Sequence, residues 1–230
     1  MATYPMILKL ALLLALTLTA CQALPDLPPT GDSADALPVT ALTTSAQGGW
    51  IAYENGGITL KIKVPDGWQC YNTAGGIVLT EHIGTAATAG HLQGILVYIF
   101  MPPMDGFELP STGGVNVAWA VLRQVISNPD YVGRALVSEP QAFDWDHHDA
   151  AYYLLNSRDG TLTLLLAMSL APGRLMVAHI SVPESHGGRV RPLLPGLLQS
   201  LTVNDVPISA DALRHLPDPL PFPTDEASAG

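Results

Sequence analysis

Six consecutive residues, Asp144-Trp145-Asp146-His147-His148-Asp149, form the densest cluster of chemistry-bearing side chains in the sequence. If the backbone is extended there, alternate side chains project to one side, so Asp144, Asp146 and His148 share a face. Two carboxylates and an imidazole are half of a divalent-metal site, and the imidazole favours Zn²⁺ or Mn²⁺ over Ca²⁺. A metal-dependent hydrolase or metal-binding protein is therefore one hypothesis. A polar hairpin without metal is the other, and we favour it because strand ends collect such residues for turn formation and solubility.

Motifs for other kinds of catalysis are absent from the sequence. It contains no Gly-x-Ser-x-Gly, no His-Glu-x-x-His and no Cys-x-x-Cys, the patterns that place nucleophiles or metal ligands at working distances. Its Gly-Gly pairs do not form Gly-x-Gly-x-x-Gly, so they indicate turns rather than a nucleotide site. We predict a protein that is not an enzyme and uses no cofactor.

The start of the chain carries chemistry of a different kind. An apolar run from Leu10 leads into Leu18-Thr19-Ala20-Cys21. The run is shorter than the roughly 20 apolar residues that span a bilayer, and Thr19 and Ala20 suit a peptidase that accepts only small residues. An ordinary signal peptide or a short signal anchor would also fit such a run.

Leu18-Thr19-Ala20-Cys21 resembles the lipobox of bacterial lipoproteins. The resemblance implies that residues 1–20 are a lipoprotein signal peptide and that Cys21 becomes the first mature residue. Cys21 would then carry a diacylglyceryl thioether, usually with an amide-linked chain such as palmitate. Several acyl chains together anchor a protein stably, whereas one does not. We therefore expect attachment to a cell membrane on its extracytoplasmic face, in a bacterial cell envelope; inner and outer membrane remain alternatives.

Charge limits the other partners that the chain can bind. The formal net charge is −10, which argues against nucleic acid and against anionic lipid head groups, because both are bound mainly through Lys and Arg. The expected partner besides the membrane is an envelope protein or a small ligand that the sequence does not identify.

Composition divides the chain into segments. Residues 21–48 are rich in Pro, Ala, Thr, Ser and Gly, a composition that cannot bury enough apolar surface to repay ordering, so they are predicted to be a flexible tether after the acylated cysteine. Residues 49–206 are predicted to be one globular domain, in which Cys70 is a small buried hydrophobe. Residues 207–230 are predicted to be a Pro-rich acidic tail, mostly disordered.

Hydrophobic periodicity within the domain predicts mainly strands. Alternation and turn residues indicate strands over 50–54, 58–64, 77–82, 93–101, 134–145, 149–156, 161–169 and 174–182. Helical spacing over 114–128 predicts one long helix, which ends before Pro129. A short helix is expected over 192–201, with Pro192 and Pro195 in its first turn. This order predicts an α+β protein with a largely antiparallel sheet.

The strand order and two short motifs resemble the PsbP-like fold. Val64-Pro65-Asp66-Gly67-Trp68 follows the first hairpin, and Leu197-Leu198-Gln199-Ser200-Leu201 comes near the end of the domain. The resemblance covers about residues 49–206 and implies an α/β/α sandwich with helices on both faces. It also implies a binding or assembly module without catalysis. A purely structural envelope protein, whose tails make the contacts, is a further possibility.

Overall fold

A computed structural model describes residues 49–81, 92–110 and 114–224. The predicted signal peptide, Cys21 and the predicted tether lie outside the described residues. Within the described ranges, no helix has the length and apolarity needed to cross a bilayer.

Two antiparallel sheets make up most of the described structure. The large sheet has the order β3-β4-β5-β10-β9-β8-β6, with β7 also paired to β8, and the small sheet has the order β1-β2-β11-β12. The strands are β1 (Trp50–Asn55), β2 (Ile58–Lys63), β3 (Gln69–Asn72), β4 (Gly76–Thr80), β5 (Leu96–Phe100), β6 (Leu136–Val137), β7 (Gln141–Trp145), β8 (His148–Asn156), β9 (Thr161–Ala171), β10 (Arg174–Pro183), β11 (Thr202–Val203) and β12 (Val206–Pro207). The predicted α+β class with a largely antiparallel sheet is confirmed.

The central strands of the large sheet bury both faces, as their nearly continuous apolar sequences predict. Along β9, Leu164 and Leu166 belong to one hydrophobic core, whereas Leu165 and Ala167 belong to the other. The first core lies between the large sheet, the small sheet and the C-terminal elements. The second core lies on the opposite face of the large sheet. Side-chain alternation along each strand produces this division.

In the described ranges the helices are α1 (Val117–Ile126), α2 (Pro129–Val132) and α3 (Gly187–Leu198), with short 3₁₀ helices at Glu184–His186 and Asp211–His215. Helix α1 buries Ala118, Val121 and Leu122 in the second core. Its N-cap is Asn116, whose side chain accepts a hydrogen bond from the backbone N–H of Trp119, as N-cap residues typically do.

Helix α3 begins earlier than predicted, at Gly187 rather than Pro192. Pro192 and Pro195 therefore lie inside the helix and not in its first turn, where their missing N–H groups would cost least. Helix α3 buries four apolar side chains in the first core, those of Val190, Leu194, Leu197 and Leu198. This burial offsets the two lost backbone hydrogen bonds.

The C-terminal segment also differs from its prediction. Residues 207–224 pack on the domain, with Ile208, Leu213, Leu216 and Leu220 buried in the first core, while residues 225–230 lie outside the described residues. Two side chains of the domain hold backbone carbonyls of this segment: Arg191 Nε donates to Leu216 O at 2.9 Å, and Asn156 Nδ2 donates to Pro223 O at 2.9 Å. The prolines lower the cost of ordering, and the apolar residues between them supply the contacts.

Candidate functional site

The Asp144–Asp149 cluster is a tight hairpin between β7 and β8, not one extended strand. Asp146 and His147 have φ values of 54° and 66°, and Trp145 pairs with His148. Two central residues with positive φ are the signature of a type I′ turn, whose twist matches that of the flanking strands. The predicted arrangement of Asp144, Asp146 and His148 on one strand face therefore does not form, because the chain reverses between them.

Asp144 and Asp146 each accept a hydrogen bond from a backbone N–H. Asp144 Oδ1 accepts from the His147 N–H at 2.9 Å, which closes the turn. Asp146 Oδ2 accepts from the Ser209 N–H at 2.9 Å, and the indole Nε1 of fully buried Trp145 donates to Ser209 O at 2.8 Å. Ser209 is thus held by both its backbone donor and its backbone acceptor, which fixes the C-terminal segment to this hairpin.

Asp149 contacts the beginning of helix α1. Its Oδ2 accepts from the Val117 N–H at 3.1 Å, and a carboxylate at this end of a helix is favoured by the helix dipole. The Asn116 amide donates to Ala150 O at 2.9 Å. The start of β8 therefore sets the position of α1 on the sheet.

His148 lies in a groove next to this helix start. Its Nδ1 is 2.8 Å from Ser169 O, and because a carbonyl only accepts, Nδ1 is the donor and carries the hydrogen. Nε2 has no hydrogen-bond partner among the described residues. In the neutral ring Nε2 is therefore an acceptor that a ligand can use.

The groove has a volume of 490 Å³, within the range of small-molecule sites. Both polar and apolar residues line it: His147, His148, Asp149, Ser169, Leu109, Pro110, Val117, Leu170 and the turn from Ala171 to Gly173. The opening suits a small polar ligand or a loop of a partner protein. Among the described residues that line it, no group activates a nucleophile, because the His148 ring is held by the Ser169 carbonyl and not by a carboxylate.

The metal hypothesis finds no ligand set in the part of the chain that the structure describes. No group of three or more His, Cys, Asp or Glu residues lies close enough to hold a metal ion there. Asp144, Asp146 and His148 instead have three different backbone partners: the His147 N–H, the Ser209 N–H and Ser169 O.

Another histidine, His179, lies inside the large sheet on the α1 side. It stands between Tyr98 of β5 and Leu165 of β9. Part of the residue is accessible, but burial of the ring in apolar surroundings lowers the pKa of His179 from 6.5 to about 4. A ring that is neutral at physiological pH suits a core residue.

A second surface was not singled out by sequence reasoning. Trp50 is 51% exposed and is the direct cross-strand partner of Lys63. The Nζ of Lys61 lies 5.8 Å from the centre of the Trp50 ring. We call the outer side of the small sheet that bears Trp50, Lys61 and Lys63 the lysine face. The alternation Ile58-Thr59-Leu60-Lys61-Ile62-Lys63 was the signal, since it directs both lysines away from the core.

The sequence matches no described protein family and no curated protein. The structure is similar to the solution structure of cyanobacterial PsbP (CyanoP) from Synechocystis sp. PCC 6803, with a TM-score of 0.44 and 16% sequence identity. The match covers 74% of this chain and 98% of that chain. A similarity of this size says nothing about the activity, ligand or partner of the present protein.

Proposed function

We propose that this chain is a lipid-anchored, extracytoplasmic binding or assembly module that works without catalysis, built on a PsbP-like domain. The anchor rests on the Leu18-Thr19-Ala20-Cys21 motif, and the fold assignment on the sequence motifs described above. Binding takes place in the groove beside His148, and the bound species is an envelope protein or a small ligand.

One observation supports a binding role without catalysis. Of the residues best suited to chemistry, Asp146, His148 and Asp149 each contact the backbone of another segment through a hydrogen bond, and Asp144 closes its own turn. The bonds of His148 and Asp149, which line the groove, give it a fixed wall. Recognition favours such a wall, because a preformed site loses little conformational freedom on binding. A purely structural protein with contacting tails is less well supported, because residues 207–224 pack on their own domain.

Substituting each of the two cysteines, Cys21 and Cys70, tests the lipid anchor. After expression in a bacterium that processes lipoproteins, wild type and Cys70→Ala should enter the detergent phase on phase separation. Cys21→Ala should lose the acyl modification, and mass spectrometry of the N-terminal peptide should show acyl chains only where Cys21 is present. An unmodified sulfur at Cys21 in the wild-type protein would contradict the anchor.

Binding at the groove is tested by a photo-cross-linking amino acid in place of Leu109, which lines the groove and is 38% exposed. The control position is Asp66, an exposed turn residue outside the groove. Irradiation of intact cells should yield a discrete product from position 109 and none from position 66. Equal products from both positions, or none from position 109, would contradict a binding role for the groove.

A further inference from the structure

The distribution of lysines within the fold points to a surface distinct from the groove. After Lys9, the sequence contains only two lysines, Lys61 and Lys63. They are alternate residues of β2, so both project from the lysine face. Exposed Trp50 lies directly opposite Lys63 and within cation–π distance of Lys61.

These side chains contribute little to holding the fold together. Lys63 makes no ion pair within the described ranges. Lys61 Nζ lies 3.3 Å from Asp205 Oδ1, but the two side chains are 41% and 82% exposed, and such pairs are weak in water. Large aromatic side chains are usually buried to a high degree, so a half-exposed Trp50 beside two lysines is a feature that folding does not require.

The overall negative charge does not cancel this local positive charge. Glu54 is the next acidic residue along the same face of β1, four residues from Trp50, which is about 13 Å along a strand. Exposed charges are largely screened beyond about 8 Å at physiological ionic strength. Glu54 therefore does not cancel the positive charge at the end of the lysine face that bears Trp50 and Lys63.

The position of the lysine face along the chain favours the membrane as its binding partner. Trp50 is the first residue of β1, so the segment that begins at the proposed anchor, Cys21, enters the domain at the lysine face. If that segment is flexible, its end-to-end distance is about 30 Å, which keeps the lysine face within reach of the bilayer. Tethering makes the second contact intramolecular, so a weak surface interaction becomes effective.

We infer that the lysine face docks on the anionic phospholipid head groups of the membrane that anchors the chain, with Trp50 at the head-group level. Tryptophan is favoured at membrane interfaces, where its ring is partly apolar and its N–H stays hydrated. Lysines near an anionic membrane surface add attraction individually. The inference rests on the proposed lipid anchor, and it adds a defined orientation of the domain on the membrane.

The test uses the full acylated protein and labels its two lysines with a water-soluble amine-acetylating reagent. Labelling is read by mass spectrometry in detergent micelles, in phosphatidylcholine vesicles, and in phosphatidylcholine vesicles that contain phosphatidylglycerol. Lys61 and Lys63 should be labelled about fivefold more slowly on the anionic vesicles than in micelles. Protection should be weaker on the neutral vesicles.

Two variants separate docking from anchoring. Trp50→Ala should still float with the vesicles but lose most of the lysine protection. Arg134→Gln combined with Arg158→Gln removes two exposed cations elsewhere and should leave the protection unchanged.

Unprotected lysines on floating wild-type protein would overturn the docking and leave the anchor intact. Equal protection on both kinds of vesicle would overturn the role of anionic head groups. Protection in isolated native membranes, labelled in parallel, but on neither kind of vesicle would overturn lipid docking in favour of a protein partner. Failure of the wild type to float would count against the anchor alone. In that case docking is tested by adding anionic vesicles to the protein in increasing amounts and measuring the labelling of Lys61 and Lys63. Lysines that stay unprotected at every lipid concentration would overturn docking.

Discussion

The β7–β8 hairpin and the lysine face each carry an aspartate in a two-residue turn with positive φ, but their side chains have different environments. Asp146 accepts a backbone hydrogen bond from Ser209, next to a completely buried Trp145. Asp205 is 82% exposed and meets only the exposed end of Lys61. The same residue types thus stabilise the fold in one region and are left available to solvent in the other.

This difference shows how polar clusters should be interpreted. The hairpin has the residue types of a metal or catalytic site, yet its side chains are occupied by backbone groups of three other segments. The residue types of the lysine face suggest no metal or catalytic site, yet its side chains have few partners within the described fold. The number of partners a side chain has in the folded chain is a better guide to its availability for binding than its residue type.

The largest expected effect compares the tryptophans of the two regions. Trp145→Ala should lower the free energy of unfolding by about 3–5 kcal/mol, because it leaves a cavity and an unpaired Ser209 carbonyl. Trp50→Ala should change it by about 1 kcal/mol or less, since an exposed ring and one cation–π contact are lost. Urea denaturation of both variants measures the difference. Similar losses for the two variants would remove the distinction between the regions.

An acid-dependent loss of stability is expected from a residue outside both regions. The pKa of His179 is about 4 in the folded protein, against about 6.5 when unfolded. The unfolded chain therefore binds the proton first, and stability falls as pH drops from about 6.5 towards 4. The loss should be about 2 kcal/mol, less than complete burial would give, because part of the residue reaches solvent.

The His179→Leu variant should be less sensitive over this pH range, because Leu cannot take up the proton. Urea denaturation at a series of pH values, in parallel with wild type, measures the change. In a His179→Leu background, the free energies of unfolding of the hairpin variants and the lysine-face variants can be compared at lower pH without the contribution of His179. An unchanged pH dependence in His179→Leu would show that another group is responsible.

A smaller effect is expected at the hairpin turn itself. Asp146→Ala removes the hydrogen bond to Ser209 and places alanine at a φ of 54°, which together should cost about 1–2 kcal/mol. Asp146→Asn should cost less, because asparagine tolerates this φ and keeps an acceptor oxygen. Thermal unfolding of both variants, with exposed Asp66→Ala as the control, measures the costs. A loss for Asn as large as the loss for Ala would indicate that the carboxylate charge itself is needed and that an acceptor oxygen does not suffice.

Local sequence signals predicted most of the large sheet. The apolar run in β5, the hairpin residues before β2 and the turn at Pro172-Gly173 each indicate their structure from a few neighbouring residues. The predicted strand over 134–145 is interrupted between Val137 and Gln141, where Pro140 lacks a backbone donor. Strand β3 was not predicted, because four residues carry too little periodicity.

Features set by distant contacts were beyond the reach of these signals. The packing of residues 207–224 depends on Trp145, Asn156 and Arg191, which are far away in sequence. The candidate site was found only in part. The cluster at 144–149 marked one wall of the groove, but Leu109, Val117 and Ser169 come from other elements, and nothing in their local sequence indicates that they meet there.

The smallest expected effect tests whether the side chains of the lysine face contribute to the stability of the fold. Lys61→Gln should change the free energy of unfolding by about 0.5 kcal/mol or less, because it removes only an exposed ion pair and a solvated cation–π contact. Asp205→Asn is the matched change, since asparagine tolerates the φ of 64° at this turn position. A double-mutant cycle by urea denaturation should give a coupling energy of about 0.2–1 kcal/mol. A coupling above about 1.5 kcal/mol would mean that Lys61 stabilises the fold as strongly as Asp146 does. The contrast between the two regions would then fail at one of the two lysines proposed to meet the membrane.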